Sequence, residues 1–164
     1  VTGMPNRRHV FQRLSEEIKK SQRYNQPLCI LLFDIDGFKP INDQYGYLTG
    51  DKVLRDIGQT IRRSLREIDL VGRYGGEEFL VVMPNTATEM ARHCGARIRR
   101  AIQALQWEQG QVRVTVSGGL AQAGEHSPAD LIALADERVR AAKQVGGDRI
   151  LADEVVGTED GTQP

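Results

Sequence analysis

The sequence has no surplus of charge: 22 Lys and Arg balance 22 Asp and Glu over 164 residues. A strongly basic footprint is absent from the totals, so no nucleic-acid partner is expected. Cysteine is scarce. Only Cys29 and Cys94 occur, both inside apolar-patterned segments, and they read as buried, reduced thiols of a cytosolic protein. Long hydrophobic runs are missing too. The longest, Leu28 to Phe33, is far too short to span a membrane, and no signal-peptide pattern opens the chain. A cytoplasmic location is expected, with any membrane anchor outside this sequence. His9, His93 and His126 lie far apart, without ligand spacing such as HExxH. There is no Walker A sequence, and neither Gly75-Gly76 nor Gly118-Gly119 spells GxGxxG, so a dinucleotide fold is unsupported. Ser117-Gly118-Gly119 has no evident His partner and reads as a strand-end turn. No internal repeat is found. The length points to one domain, able to bury roughly two thirds of the surface of its unfolded chain.

What is present is an alternation of helical and strand-like patterns. Asn6 is placed to cap a first helix, in which Val10, Phe11, Leu14 and Ile18 recur at helical spacing. Asn25 to Pro27 breaks it. Leu28 to Ile35 reads as a buried strand, bounded by Pro27 and Gly37. A short helical piece follows over Phe38 to Tyr45, with Pro40 in its first turn. Asp51 starts a longer helix with an apolar stripe of Val53, Leu54, Ile57, Ile61 and Leu65. Leu70 to Tyr74 and Phe79 to Met83 flank Gly75-Gly76, a hairpin pattern in which both glycines accept φ > 0. A third long helix carries Ala91, Cys94, Ile98, Ile102 and Leu105. Val112, Val114 and Val116 alternate with Arg113, Thr115 and Ser117 as a half-buried strand. Ser127-Pro128 is a cap with an N1 proline, opening a helix that runs to about Val145 and ends at Gly146-Gly147. Arg149 to Leu151 forms a last short strand. From Asp153 onward the pattern is acidic and aperiodic, so residues 153–164 read as a disordered acidic C-terminal tail behind a folded domain of residues 1–152. The order α-β-α-α-β-β-α-β-α-β contains one tight hairpin, which makes the sheet at least partly antiparallel. The expected fold class is α+β, a mixed α/β sheet with helices packed on it.

Two constellations carry chemistry. Asp34 and Asp36 close an apolar strand two residues apart, which points both to one face at the sheet's edge. Buried carboxylates there need a cation or a donor, and hard oxygen ligands suit Mg²⁺. The plainer reading is that Asp34 or Asp36 caps the next short helix. In Gly75-Gly76-Glu77-Glu78 a glycine pair lets backbone approach a ligand, and two acids follow at the turn. The plainer reading there is an exposed acidic hairpin. Together, a strand-end acid and a hairpin-tip acid can converge on one metal, which neither turn chemistry nor packing requires.

At this point the residues resemble a known family. Arg73-Tyr74-Gly75-Gly76-Glu77-Glu78-Phe79 is similar to the signature of GGDEF-domain diguanylate cyclases, in its GGEEF spelling. Thr2 to Arg8 resembles the family's opening. Asp34 to Lys39, Asn42-Asp43 and Gly50-Asp51 resemble its metal and guanine segment. Ala135-Asp136 and Ala142-Lys143 resemble its last helix. The resemblance implies a palm-like sheet, as in nucleotidyl cyclases, and the condensation of two GTP into cyclic di-GMP. It implies Mg²⁺, or Mn²⁺ in its place, on Asp34, Glu77 and the Ile35 carbonyl, with Glu78 beside the metal. Asp34, Glu77 and Glu78 are then the catalytic candidates. Substrate would be held by Phe38, Lys39, Asn42, Asp51, Gly75, Gly76 and Lys143: the lysines on the triphosphate, Asn42 and Asp51 on the guanine edge. One domain holds one GTP, so a homodimer is implied. An N-terminal regulatory or membrane domain is implied beyond this chain.

Arg66-Glu67-Ile68-Asp69 has the RxxD form of the family's inhibitory product site, with Arg97 where a second arginine often contributes. The plainer readings are a solvated helix-end cation for Arg66 and a turn residue for Asp69. Three positions depart from the pattern: Gly147 stands where many members carry arginine, Tyr47 replaces a frequent histidine and Arg140 a frequent tyrosine. The competing function is a non-catalytic module that senses GTP or cyclic di-GMP. Degenerate members usually lose the acid of the turn, whereas Glu77 and Glu78 are both present. Synthesis of a mixed guanine–adenine product is disfavoured by Asp51, and a purely structural dimerisation domain leaves the acids unexplained.

Overall fold

The computed structural model describes residues 3–107, 110 and 112–152. Its elements follow in the order α1 (Arg7–Tyr24), β1 (Leu28–Ile35), α2 (Phe38–Tyr45), α3 (Tyr47–Arg63), β2 (Leu70–Arg73), β3 (Glu78–Pro84), α4 (Thr88–Gln103), β4 (Val116–Gln122), α5 (Pro128–Gln144) and β5 (Arg149–Leu151). One five-stranded sheet runs β2-β3-β1-β4-β5. β1 lies antiparallel between β3 and β4, β2 is antiparallel to β3, and β5 is parallel to β4. The α+β expectation holds: the sheet is mixed and helices cover both faces.

β1 shows why its run is continuously apolar. Cys29, Leu31, Phe33 and Ile35 face a core built with Val53, Ile57 and Ile61 of α3 and Ile98 and Ile102 of α4. Leu28, Ile30 and Leu32 face the opposite core, built with Val10, Leu14 and Ile18 of α1 and Leu131, Ala135 and Val139 of α5. Successive side chains alternate between two buried faces, so no polar position is left. Phe33 and Phe79 are fully buried, each contributing about 1.5–3 kcal/mol of transfer free energy.

The helix ends follow the expected chemistry where a side chain supplies it. Asn6 Oδ1 accepts from His9 N at 2.9 Å, and Ser127 Oγ accepts from Asp130 N at 3.1 Å with Pro128 at N1. Two boundaries differ. α3 begins at Tyr47 rather than Asp51, taking Gly50 into the helix, where a Cβ would collide with the Asn42 side chain. The strand expected over Val112–Ser117 is β4 at Val116–Gln122 instead. Val112 and Val114 are buried as their alternation requires, but the ladder to β1 begins only at Ile35↔Val116. Ser117-Gly118-Gly119 is therefore strand interior, not a turn. A Cβ at Gly119 would collide with the Ala135 carbonyl of α5. The glycine lets α5 lie directly on β4, and Arg138 Nη1 ties the two by donating to Leu120 O at 2.6 Å. That contact fixes where the last turn of α5 meets the end of β1. Cys29 and Cys94 are both free thiols; the first is buried, the second half-buried. The tail expected from Asp153 onward lies outside the described residues. Among the described residues no helix is long and apolar enough to cross a membrane.

Candidate active site

β1 is the central strand, so its acids stand at the sheet's end rather than its edge. Asp34 has Glu78 of β3 as its partner on one side and Ser117 of β4 on the other. The hairpin between β2 and β3 has four loop residues, Tyr74 to Glu77, rather than two. Neither glycine has positive φ, so the reason for them is space. A Cβ on Gly75 would strike the Glu78 carboxylate folded over it, and Gly76 has nothing within 4 Å of its Cβ position. Arg73 pins this turn, donating from Nε to Gly75 O at 3.3 Å and from Nη2 to Gly76 O at 2.6 Å. Ile35 N donates to Glu77 O at 3.2 Å, which brings the turn against the end of β1.

The carboxyl groups at this end crowd one another. Burial, then the charge of Asp34, raise the Glu77 carboxyl above its ordinary pKa. Burial and the charges of Asp34 and Asp136 do the same for Glu78. Lys143, in the last turn of α5, reaches in from the α1/α5 face. Its Nζ lies 3.2 Å from Asp34 Oδ1, 3.1 Å from Asp36 Oδ1 and 3.3 Å from Ile35 O. The approach to Asp34 is an ion pair without hydrogen-bond geometry, and Asp34 Oδ1 is buried with no hydrogen-bond partner.

Asp36 is a different kind of acid. It accepts from Thr115 Oγ1 at 2.8 Å, Ser117 Oγ at 2.7 Å, Asp148 N at 2.9 Å and Lys143 Nζ at 3.1 Å. Burial alone would raise its pKa, but these donors outweigh it and hold the carboxyl below the ordinary value. Asp36 is a structural knot joining β1, β4 and the turn after α5. Neither aspartate caps α2, whose N-cap is Gly37 without a side-chain bond. Gly147 sits against this knot with φ +72°, and the Asp36 carboxyl atoms lie 3.1 Å from its Cβ position, so no side chain fits that backbone comfortably. Arg149 Nε donates to Gly147 O at 3.0 Å.

A second group lies on α2 and α3. Asn42 Oδ1 is buried without a hydrogen-bond partner beside Gly50, and half-buried Asp51 follows directly. Phe38 is buried beneath them in the core. Lys39 stands apart, exposed and paired with Asp43 at 3.3 Å. Three buried side-chain polar atoms lack a partner among the described residues: Asp34 Oδ1, Asn42 Oδ1 and Arg138 Nε. Two of the three fall in the expected site: Asp34 Oδ1, with only its ion pair to Lys143 at 3.2 Å, and Asn42 Oδ1, which a ligand donor would satisfy.

Arg66, Asp69 and Arg97 lie elsewhere. Arg66 bonds Pro84 O, and Pro84 pairs with Leu28 at the opposite end of β1 from Asp34↔Glu78. Six residues of strand separate the ends, about 20 Å. Arg66 is exposed but engaged: it donates to both Asp69 carboxylate oxygens, to Pro84 O at 2.9 Å and to Thr86 Oγ1 at 2.6 Å. The Asp69 side chain is 3% exposed and also accepts from Arg66 N at 2.9 Å, so the turn reading of Asp69 describes what it does here. Arg97 Nη2 donates to Ser64 O at 2.9 Å, at the C-terminus of α3.

Sequence reasoning quoted Arg73 and Asp136 only as parts of motifs, without these contacts, and it missed Thr86 and Asp148. Their partners lie up to 112 residues away, and no local pattern announces such contacts.

A profile described as "Diguanylate cyclase, GGDEF domain" matches residues 1–149. The chain belongs to the GGDEF family. Among similar proteins, diguanylate cyclase DgcP of Pseudomonas aeruginosa is 39% identical over 153 residues, 92% of this chain and 23% of that protein. Among solved structures, this GGDEF domain resembles diguanylate cyclase SiaD of Pseudomonas aeruginosa in complex with its activator SiaC, with TM-score 0.89, 36% identity, and 93% and 60% of the two chains covered. It also resembles the GGDEF domain of DgcB from Caulobacter crescentus in complex with c-di-GMP, with TM-score 0.88, 29% identity, and 93% and 90% covered. The chain spans 23% to 51% of the length of the curated relatives it matches. Among its described residues no group of three or more His, Cys, Asp or Glu is arranged to hold a metal by itself. Two carboxylates and a carbonyl, leaving positions for phosphate oxygens, is nonetheless the donor set that Mg²⁺ accepts in nucleotide sites.

Proposed function

We propose that this GGDEF domain is a diguanylate cyclase acting as a pair of domains, each holding one GTP. The observation that carries the reading is the convergence of Asp34 with Glu77 and Glu78 at one end of the sheet, where burial and mutual charge raise the pKa of both glutamates and Asp34 Oδ1 is ion-paired with the Lys143 ammonium at 3.2 Å. Asp34, Glu77 and the Ile35 carbonyl would hold Mg²⁺, with Mn²⁺ as a substitute. When bound, the cation neutralises charge on the phosphoryl oxygens and lowers the pKa of the attacking hydroxyl. Asn42 and Asp51 would orient the guanine, and the open backbone at Gly76 admits the nucleotide. Lys143 would neutralise phosphate charge. The 3′-hydroxyl oxygen of one GTP bonds to the α-phosphorus of the other as its proton is released to solvent, the bond from that phosphorus to the oxygen bridging to the β-phosphate breaks, and pyrophosphate leaves. The same exchange in reverse orientation closes the ring. Positioning supplies most of the remaining effect.

Incubation with GTP and Mg²⁺, followed by product analysis, tests this reading. Cyclic di-GMP and pyrophosphate are expected, at a specific activity that rises with domain concentration in the dilute range. No product, or a specific activity flat where sedimentation shows only monomer, would overturn it.

Product inhibition through Arg66, Asp69 and Arg97 belongs to the same proposal. A diester anion or guanine edge suits the arginine fork, and the site's distance from Asp34 makes inhibition non-competitive with GTP. Arg66→Ala is expected to weaken cyclic di-GMP binding roughly tenfold or more, the loss of one charged hydrogen bond. Calorimetric titration measures it, with thermal melting alongside because Arg66 also ties the end of β3. Unchanged affinity would return Arg66 to a purely structural role.

A further inference from the structure

We propose that Lys143 is the resident counter-cation of the Asp34 site. In the nucleotide-free domain its ammonium sits on the oxygens a divalent cation needs, and it yields them when nucleotide phosphates arrive to accept it. The inference rests on the cation reading given above. The Nζ of Lys143 lies 3.1–3.3 Å from three oxygens, hydrogen-bonded to Asp36 Oδ1 and Ile35 O and ion-paired with Asp34 Oδ1. Two of them, Asp34 Oδ1 and Ile35 O, are those assigned to the metal. The third belongs to Asp36, which the domain keeps for itself.

The local architecture lets the side chain move while its base stays fixed. The turn after Lys143 is pinned: Gly147 N donates to Ala142 O at 2.9 Å, Asp148 N to Asp36 at 2.9 Å, and Arg99 pairs with Asp148 at 2.8 Å. The Lys143 side chain is 35% exposed and has open solvent beside it. It can leave Asp34 and Ile35 without unpicking the turn. Buried carboxylates left unpaired are costly, so Lys143 makes the metal-free site tolerable. The same contact makes a metal ion alone a poor competitor. Phosphates change the balance, because they supply ligands for the metal and a new partner for the ammonium together. Metal and nucleotide binding are then coupled, and each strengthens the other by the same factor.

The test is Mn²⁺ titration of the domain, following the free ion by its paramagnetic resonance signal, with and without a non-hydrolysable GTP analogue. Lys143→Met, or Lys143→Gln should the first not fold, is compared with the parent. Without nucleotide the variant is expected to bind Mn²⁺ about tenfold more tightly or better, because a competing unit charge has gone. The gain in Mn²⁺ affinity on adding the analogue should shrink in the variant. In EDTA the variant should melt below the parent and recover with Mn²⁺. Equal nucleotide-free affinity in the two proteins would overturn the role of Lys143 alone. No Mn²⁺ uptake by either protein, even with the analogue, would overturn the cation reading and this inference with it.

Discussion

Glu77→Ala and Asp34→Ala are each expected to lower turnover by several decades while the domain stays folded. Cation stabilisation of phosphoryl charge contributes several kcal/mol, and each 1.36 kcal/mol is tenfold in rate. The two acids are not redundant. Asp34 presents a buried oxygen without a hydrogen bond, and Glu77 is already strained by the charge of Asp34. Removing Glu77 relieves that repulsion, so its variant should melt no lower than the parent. Asp34→Ala leaves Lys143 with Asp36 and Ile35 O, which keeps the end of β1 tied to α5. Turnover and thermal melting are measured on the same preparations. Near-normal turnover in Glu77→Ala would show the assignment to be wrong.

Asp51→Ser is expected to change base selection more than stability. A carboxylate accepts from the N1–H and N2–H₂ of guanine, and adenine offers no such donor pair. A site whose buried polar groups await particular donors rejects a base lacking them by a factor of roughly 10⁴ at best. Asn42 stands next to it with an unsatisfied buried oxygen, so two acceptors await the same edge. The serine variant should use GTP less well and accept some ATP. Rates with both nucleotides, in parent and variant, give the ratio; an unchanged ratio would remove Asp51 from the guanine site.

Much of this is legible in the sequence. The order of elements followed from periodicity, because helices with one apolar stripe and a strand buried on both faces leave different signatures. Asn6 and Ser127 announced their helices because a cap acts within three residues. The signature acids were legible because few other arrangements call for acids at a strand end and a hairpin tip together. What stayed hidden depends on distant partners. The shift of β4 past Val112 and Val114 was decided by where β1 could pair, since burial alternates equally well in an unpaired segment. Gly75 looked like a φ requirement and is a space requirement imposed by Glu78. Asp36 looked equivalent to Asp34, yet donors on β4 and after α5 consume it. The position of Lys143 on Asp34 joins residues 109 apart in sequence, and no spacing rule reaches that far.

The margins of the sheet bear on how two such domains can meet. β2 is four residues long, and the backbone N–H of Arg73 on it is taken by Pro5 O at 3.0 Å, with Gly72 packed against Val10 and Pro5. β5, at the other margin, has three residues. Open, flat margins template the addition of foreign strands and lead to aggregation, and short or covered ones resist it. Each margin here offers a second copy little ladder to extend. A pairing of two such domains, as proposed above, would thereby be steered away from continuous cross-chain sheets and toward contacts between side chains, which can form and separate without exchanging backbone hydrogen bonds.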